Sequence, residues 1–393
     1  MKIGRQAHSR LTCQSIMNKK HQHESSNSEI RAEQVTNSTI KTAPASTSHE
    51  AIYLGVDLHK KSITVTRIID HGRPQPAQTF SWEKFFAFAR KQLPLAKKVY
   101  AVYEAGAFGF WPARQLQQMG IDCYVVHPEK LDPHHKRVQT DKLDSRNLAD
   151  KLQRYVRGNN KAMVVVYIPS PAEEQARIEA RHRKHLKKEL QSLQARGRGL
   201  LLSQGIFEAR TWWQEPVWER LQPQLCSQLT AALEDQRALI QELEQRLKKA
   251  DKNLEATAPK ELPQGFGALT YVLLQRELCN YQRFQNRRNV GGFTGLCGGV
   301  SSSGPYHLDL SINKAGNPYL RTLLIELAWR MIYWQPKYTG LKTWKRLLQD
   351  GKIKNKRLRK MALVAVARQL AVDIWRWQTG RVRPEQLGWG MRG

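Results

Sequence analysis

The sequence has little of what a secreted or membrane-bound chain needs. Its 393 residues hold five cysteines (Cys13, Cys123, Cys226, Cys279, Cys297), odd in number, scattered and without a CxxC pair. That spacing argues against a disulfide framework or a zinc cluster and fits a reducing compartment. No apolar run approaches the ~18–20 residues of a membrane span, so no membrane partner is expected. The basic N-terminus has no apolar stretch behind it and does not read as a secretory signal. Acidic residues are scarce: 34 stand against 64 Lys and Arg, a formal net charge of +30. A chain this basic repels itself unless it meets a polyanion. Nucleic acid is the expected partner, with a cytoplasmic, nucleoid-associated location, and an ordinary metabolic enzyme is nearly excluded.

What is present divides the chain into four parts. Residues 1–50 are rich in Ser, Thr, Asn, Gln and His and read as a disordered polar leader. Residues 51–170 read as an α/β layer domain. Its strands are AIYLGVDL (51–58), SITVTRII (62–69), KKVYAVYEAG (97–106), DCYVVHP (122–128) and MVVVYIP (163–169). Helical periodicity runs from Trp111 to Met119 and from Asp141 to Val156, and HKK (59–61) reads as a turn. Residues 171–258 are long helices in which Leu233, Ile240, Leu247 and Leu254 recur every seventh residue. That spacing predicts a short coiled-coil or a helix packed on its own domain. Residues 259–393 carry a Gly/Ser-rich loop from Gly291 to Gly304, then helices over about 318–333 and 358–377.

The charge is unevenly spread. Residues 259–393 hold 23 basic and 7 acidic residues, against 15 and 13 in 171–258. The nearly neutral helices suit protein–protein contact, and the basic part suits nucleic acid. Lys354, Lys356, Arg357, Arg359 and Lys360 are its densest run and the expected phosphate contacts, joined by Lys314 and Arg321. Five tryptophans lie nearby (Trp329, Trp334, Trp344, Trp375, Trp377), most of them core candidates, with one or two available to stack on bases.

Acidic residues in apolar surroundings stand out on such a chain. Asp57 ends the first strand, Glu104 ends VYAVYEAG, and Asp141 and Asp144 share one face of a helix. Carboxylates at strand ends are costly to bury without a cation. Four of them meeting would repel one another, and a divalent ion removes that repulsion. Hard oxygen ligands suit Mg²⁺. Two such ions can polarise a phosphodiester and stabilise its attacking and leaving oxygens. Taken singly, each residue also has a plain structural reading: a helix cap for Asp141, an ion pair for Asp144 or Glu104. His134 and His135 are adjacent and make a poor metal pair.

The segments GVDLHK, YEAGAFGFW and TDKLDSRNLA resemble the D–E–D–D pattern of the insertion-sequence 110 family of transposases, relatives of the Piv DNA invertase. NVGGFTGLCGGVSSSGPYHLDLSINKAGNPYLRTLLIELAWR is similar to the family's C-terminal block, and the resemblance covers roughly residues 52 to 380. It implies an RNase H-like (RuvC-like) α/β domain and a mainly α C-terminal transposase domain. It implies that Asp57, Glu104, Asp141 and Asp144 hold Mg²⁺ and that Ser303, before Gly304, is a nucleophile forming a covalent link to DNA. The implied partners are donor and target DNA, a structured bridge RNA from the element, and further copies of the chain, dimers assembling to tetramers through the helical segment.

A serine hydroxyl is a poor nucleophile at neutral pH and needs a good electrophile. A metal-polarised phosphate would be one. Two alternatives stay open at the level of sequence: a Holliday-junction-type nuclease using the carboxylates alone, and a non-catalytic nucleic-acid scaffold.

Overall fold

The structure, a computed structural model, describes residues 48–128, 140–207, 211–303, 306–348 and 355–392. The polar leader up to residue 47, His134, His135 and Lys354 lie outside the described residues.

The chain first builds a six-stranded mixed sheet. β1 (His49–Leu58) and β2 (Ile63–Ile69) form the expected hairpin across 59–62, in register Val56↔Val65 and Asp57↔Thr64. β2 is rich in β-branched residues, which suit a pleated, buried surface. A short β3 (Gln78–Phe80) extends the sheet and leads into α1 (Trp82–Gln92); the sequence reading passed over both. β4 (Ala96–Glu104) then lies parallel to β1. After α2 (Trp111–Gln118) comes β5 (Asp122–Val126), parallel to β4, and then α3 (Asp141–Val156). β6 (Val165–Val166) closes the sheet antiparallel to β5, giving the order β3-β2-β1-β4-β5-β6. Only Val165 and Val166 of MVVVYIP pair, and Val164 and Val165 stand exposed at the sheet edge.

Strand alternation gives the sheet two buried faces. Ile52, Leu54, Val56, Val99, Ala101 and Tyr103 pack on one, with Phe85 and Leu116 from α1 and α2. Tyr53 and Val102 pack on the other beneath Leu148, Ala149 and Leu152 of α3. This is a mixed α/β fold with a central mixed sheet, compatible with an RNase H-like domain.

Two long helices follow. α4 (Pro171–Ser203) starts with a capping box, Ser170 with Glu173, and Pro171 at its first position. α5 (Glu215–Leu221) leads to α6 (Ser227–Glu255). The heptad positions Leu233 and Ile240 are buried with Leu190 and Leu201 of α4, Leu243 and Leu247 packing beside them. The seam is therefore covered by a helix of the same chain.

The last part has its own core. β7 (Leu262–Pro263) precedes α7 (Ala268–Leu278) and α8 (Arg287–Thr294). The Gly/Ser-rich stretch expected to be a loop is instead the end of α8 and then a strand. β8 (Gly298–Ser303) pairs antiparallel with β9 (Tyr306–Ile312). Hairpin pairing satisfies the backbone whatever the side chains, and the alternating YHLDLSI supplies the partner strand. α9 (Pro318–Trp334), α10 (Lys345–Leu348) and α11 (Lys356–Gln378) follow, and β10 (Met391–Arg392) returns to pair with β7. Leu320, Leu324 and Leu327 of α9 pack with Val366 and Leu370 of α11. Trp375 is buried there, whereas Trp329 and Trp334 are exposed. Among the described residues no helix is long and apolar enough to cross a membrane.

Candidate functional site

Two carboxylates sit at the same end of neighbouring parallel strands. β1 and β4 are in register at Gly55↔Val102. Asp57 and Glu104 each stand two residues further on, at the carboxyl ends of their strands. Parity puts both on the face that α3 covers, since Tyr53 and Val102 already pack there. Ligand sites of open α/β sheets lie outside such strand ends.

α3 reaches this end because of one glycine. A Cβ on Gly55 would stand 2.1 Å from the Ser145 carbonyl oxygen and 2.3 Å from the Ala149 nitrogen. The bare backbone of β1 therefore lets α3 lie directly on the strand. The Ser145 hydroxyl, fully buried, meets the Thr66 hydroxyl of β2 at 2.9 Å and fixes the helix further. The first turn of α3, with Asp141 and Asp144, is thereby brought over Asp57.

The result is a compact ligand group. Ligand atoms of Asp57, His59 and Asp141 all lie within 4.8 Å of one another. His59 Nε2 is 3.1 Å from Asp57 Oδ2 and 3.5 Å from Asp141 Oδ1, so the imidazole links the two carboxylates. Burial pushes the Asp57 carboxyl above the ordinary range; His59 opposes the rise, and the charges of Asp141 and Asp144 add to it. A carboxylate disfavoured by burial and by two like charges is one that a cation would relieve. Asp144 thus lies within electrostatic reach of Asp57, one turn along α3, and Glu104 ends the adjoining strand. His59 was missed as a site residue. Its signal was visible as a histidine two places after Asp57, but HKK was read only as a turn.

The serine block is held elsewhere in the fold. Among the described residues β8 and β9 pair only with each other, and Ser303 is the last residue of β8, opposite Tyr306. The following NKAGN stretch is clamped to the Gly-rich one. A Cβ on Gly316 would stand 2.2 Å from the Phe293 carbonyl oxygen, so the two segments touch through bare backbone. Arg321 donates to the Thr294 carbonyl at 3.3 Å, which gives it a structural partner in the same clamp. Asn317 caps α9 by accepting from the Tyr319 and Leu320 amides, and its Nδ2 donates to the buried Glu277 at 2.7 Å. Glu277 in turn faces Arg181 at 3.3 Å and Arg177 at 4.0 Å from α4.

Residues 262–341, which contain all of this clamp, match the Transposase IS116/IS110/IS902 family. Over 304 residues the chain is 32% identical to the Sinorhizobium fredii protein y4rJ, named as a transposase, spanning 70% of this chain and 76% of that relative. The chain belongs to the IS110 family of transposases. It is also 26% identical over 279 residues to the transposase for insertion sequence element IS1111A of Coxiella burnetii, covering 67% of this chain and 72% of that one. With the transposase for insertion sequence element IS1533 of Leptospira borgpetersenii the identity is 24% over 298 residues, 71% and 85% of the two chains.

The basic residues expected on the surface of this transposase are placed as follows. Lys314 is exposed and in the left-handed backbone region (φ 57°), beside the Asn313 side chain that accepts from the Ala315 amide. Lys356, Arg357 and Lys360 are exposed in the first turns of α11, and Arg359 is half-buried. Cations at a helix N-terminus oppose the helix dipole. That arrangement is unfavourable alone and is relieved by an anion such as a phosphate.

Proposed function

We propose that this transposase is a Mg²⁺-dependent recombinase that cuts and rejoins the DNA of its mobile element through a covalent serine link. The observation that carries the reading is the gathering of Asp57, His59 and Asp141 into one ligand group at the carboxyl end of β1. The oxygen donors of Asp57 and Asp141, with Asp144 and Glu104 beside them, suit a hard divalent ion. When bound, Mg²⁺ would supply Lewis-acid polarisation of the scissile phosphate. His59 keeps the Asp57 and Asp141 carboxylates together and orients them. Ser303 acts on the scissile phosphate. Its Oγ bonds to phosphorus as the bond from phosphorus to the leaving deoxyribose oxygen breaks, and the hydroxyl proton passes to that oxygen through solvent. Attack on the phosphoserine by a strand hydroxyl reverses the step and joins the new strand. The exposed cations Lys314, Lys356, Arg357 and Lys360, together with Lys354, hold the phosphate backbones. Donor and target would be selected by a bridge RNA, and the working assembly would be a dimer that pairs into a tetramer.

The test is adduct trapping on a nicked substrate carrying the element's end. Wild type with Mg²⁺ is expected to yield a protein–DNA adduct; Ser303→Ala and Asp57→Asn are expected to bind DNA and yield none. Strand cleavage by Ser303→Ala at the wild-type rate, with no adduct in either protein, would overturn the serine step in favour of a hydrolytic nuclease.

A further inference from the structure

The C-terminal part forms an open cavity of about 1340 Å³, whose walls come from α8, β8, β9, the 339–344 segment and α11. It is lined by Arg287, Arg288, Lys360, Arg368 and Arg381. Among the described residues none of these five pairs with a carboxylate. Among the described residues Asp373 is the one acidic residue of the lining, and its carboxylate is already occupied. It is buried and accepts from Tyr338 Oη at 2.7 Å, Gln369 Nε2 at 3.0 Å and Arg376 Nη1 at 3.2 Å. The field inside the cavity is therefore strongly positive.

The rest of the lining mixes polar side chains, among them Gln285, Asn286, Thr343 and Gln369, with apolar ones. Leu296, Ile312, Val364 and Val372 form walls, and Trp344 is half-buried between the hydrophobic core and the cavity. Arg381 lies over the Trp375 ring at 4.1 Å, so guanidinium and indole planes already meet in this region. A phosphate alone would need the cations but not the apolar walls, and an apolar ligand would need the reverse. A nucleotide offers both an anion and a flat, apolar base. A base-paired duplex keeps its bases stacked inside and cannot present them to a concave wall, whereas an unpaired strand can.

We infer that this cavity holds unpaired nucleotides of a single-stranded nucleic acid, phosphates on Arg287, Arg288 and Arg368 and a base against Trp344. The inference rests on the reading that nucleic acid is the substrate, and it deepens that reading by naming its strand state. Gly298 of β8 and Leu310 of β9 are part of the cavity wall, so the hairpin that ends in Ser303 is in contact with whatever fills it. An unpaired strand held here would be anchored to the hairpin.

The test is fluorescence anisotropy with labelled oligonucleotides of one sequence, as single-stranded DNA, single-stranded RNA and duplex DNA. The full-length protein is compared with Arg287→Gln/Arg368→Gln, both exposed positions, and with Arg90→Gln/Lys91→Gln, which removes the same charge from α1. The cavity variant is expected to lose single-strand affinity about tenfold or more, and its salt slope should fall by roughly 1.4, the release expected from two phosphate contacts on single strands. Its duplex affinity should change less than about threefold, and the α1 variant should match wild type on all three probes. A loss confined to DNA or to RNA identifies the strand. Equal losses on duplex and single strands, no loss, or the same loss in the α1 variant would each overturn the inference. If wild type binds no probe at all, both this inference and the proposed function fail. If it forms the DNA adduct while single-strand binding ignores the cavity variant, only the cavity fails.

Discussion

Gly55 of β1 and Ser145 of α3 are in backbone contact, so close that a Cβ on the glycine would stand 2.1 Å from the serine carbonyl oxygen. This contact sets the height of α3 above the sheet, and with it the distance from Asp141 to Asp57. Gly55→Ala is expected to push the helix away, because the obstructing atoms are backbone and cannot rotate aside. Overpacking of this kind costs about 3 kcal/mol. A displacement of about 1 Å at the reacting groups lowers activity by roughly 10²-fold. Urea unfolding measures the first and adduct formation the second; a variant equal to wild type in both would show that α3 is positioned by something else.

Metal should stabilise the protein through Asp57 and Asp141. At 100 times its dissociation constant a bound ion adds about 2.7 kcal/mol. Differential scanning fluorimetry with and without Mg²⁺ or Mn²⁺ is expected to show a rise in Tm for wild type and none for the Asp57→Asn/Asp141→Asn double variant. An equal rise in both proteins would place the ion elsewhere.

The Asp57 carboxyl is held above its ordinary range, chiefly by burial. The folded protein therefore binds this proton more tightly than the unfolded chain does. Its contribution to stability is present below the ordinary carboxylate pKa, about 3.9, and is lost as pH rises through the raised value. Asp57→Asn cannot ionise and escapes that loss. In chelator, the variant is expected to gain stability relative to wild type between pH 4 and pH 7, by urea titration at each pH. A gap that stays constant or shrinks would contradict the burial of this carboxylate.

Glu277 ties α4, through Arg181 and Arg177, to the Asn317 cap of α9. Glu277→Ala leaves the amide of Asn317 and the nearby guanidinium groups without their acceptor. Removing one partner of a buried pair costs about 3–5 kcal/mol. Glu277→Gln keeps one acceptor oxygen and is expected to lose clearly less. Equal unfolding midpoints for the two variants would mean that the Asn317 bond contributes nothing.

Much of the α/β part was legible locally. The hairpin of β1 and β2, the strands β4 and β5 and the helix from Asp141 to Val156 follow from alternation and 3.6-residue periodicity, which are properties of neighbouring residues. β3, α1 and the reduction of MVVVYIP to two paired residues were not legible, because edge pairing depends on what lies beside the strand. The Gly/Ser-rich stretch misled for the same reason. Its composition reads as a loop, yet β9 supplies a partner and makes it a strand.

The sequence by itself determined the charge, the polyanionic partner and the four acidic residues that break the basic trend, since composition and spacing do not depend on the fold. Tertiary structure alone decided that His59 joins Asp57 and Asp141, residues separated by more than eighty positions. That meeting requires the parallel register of β1 and β4 and the bare backbone of Gly55, which lets α3 descend onto the sheet. It also decided that five cations with no carboxylate partner among the described residues, and an indole, line one cavity. Long-range packing sets such distances, and no local pattern encodes them.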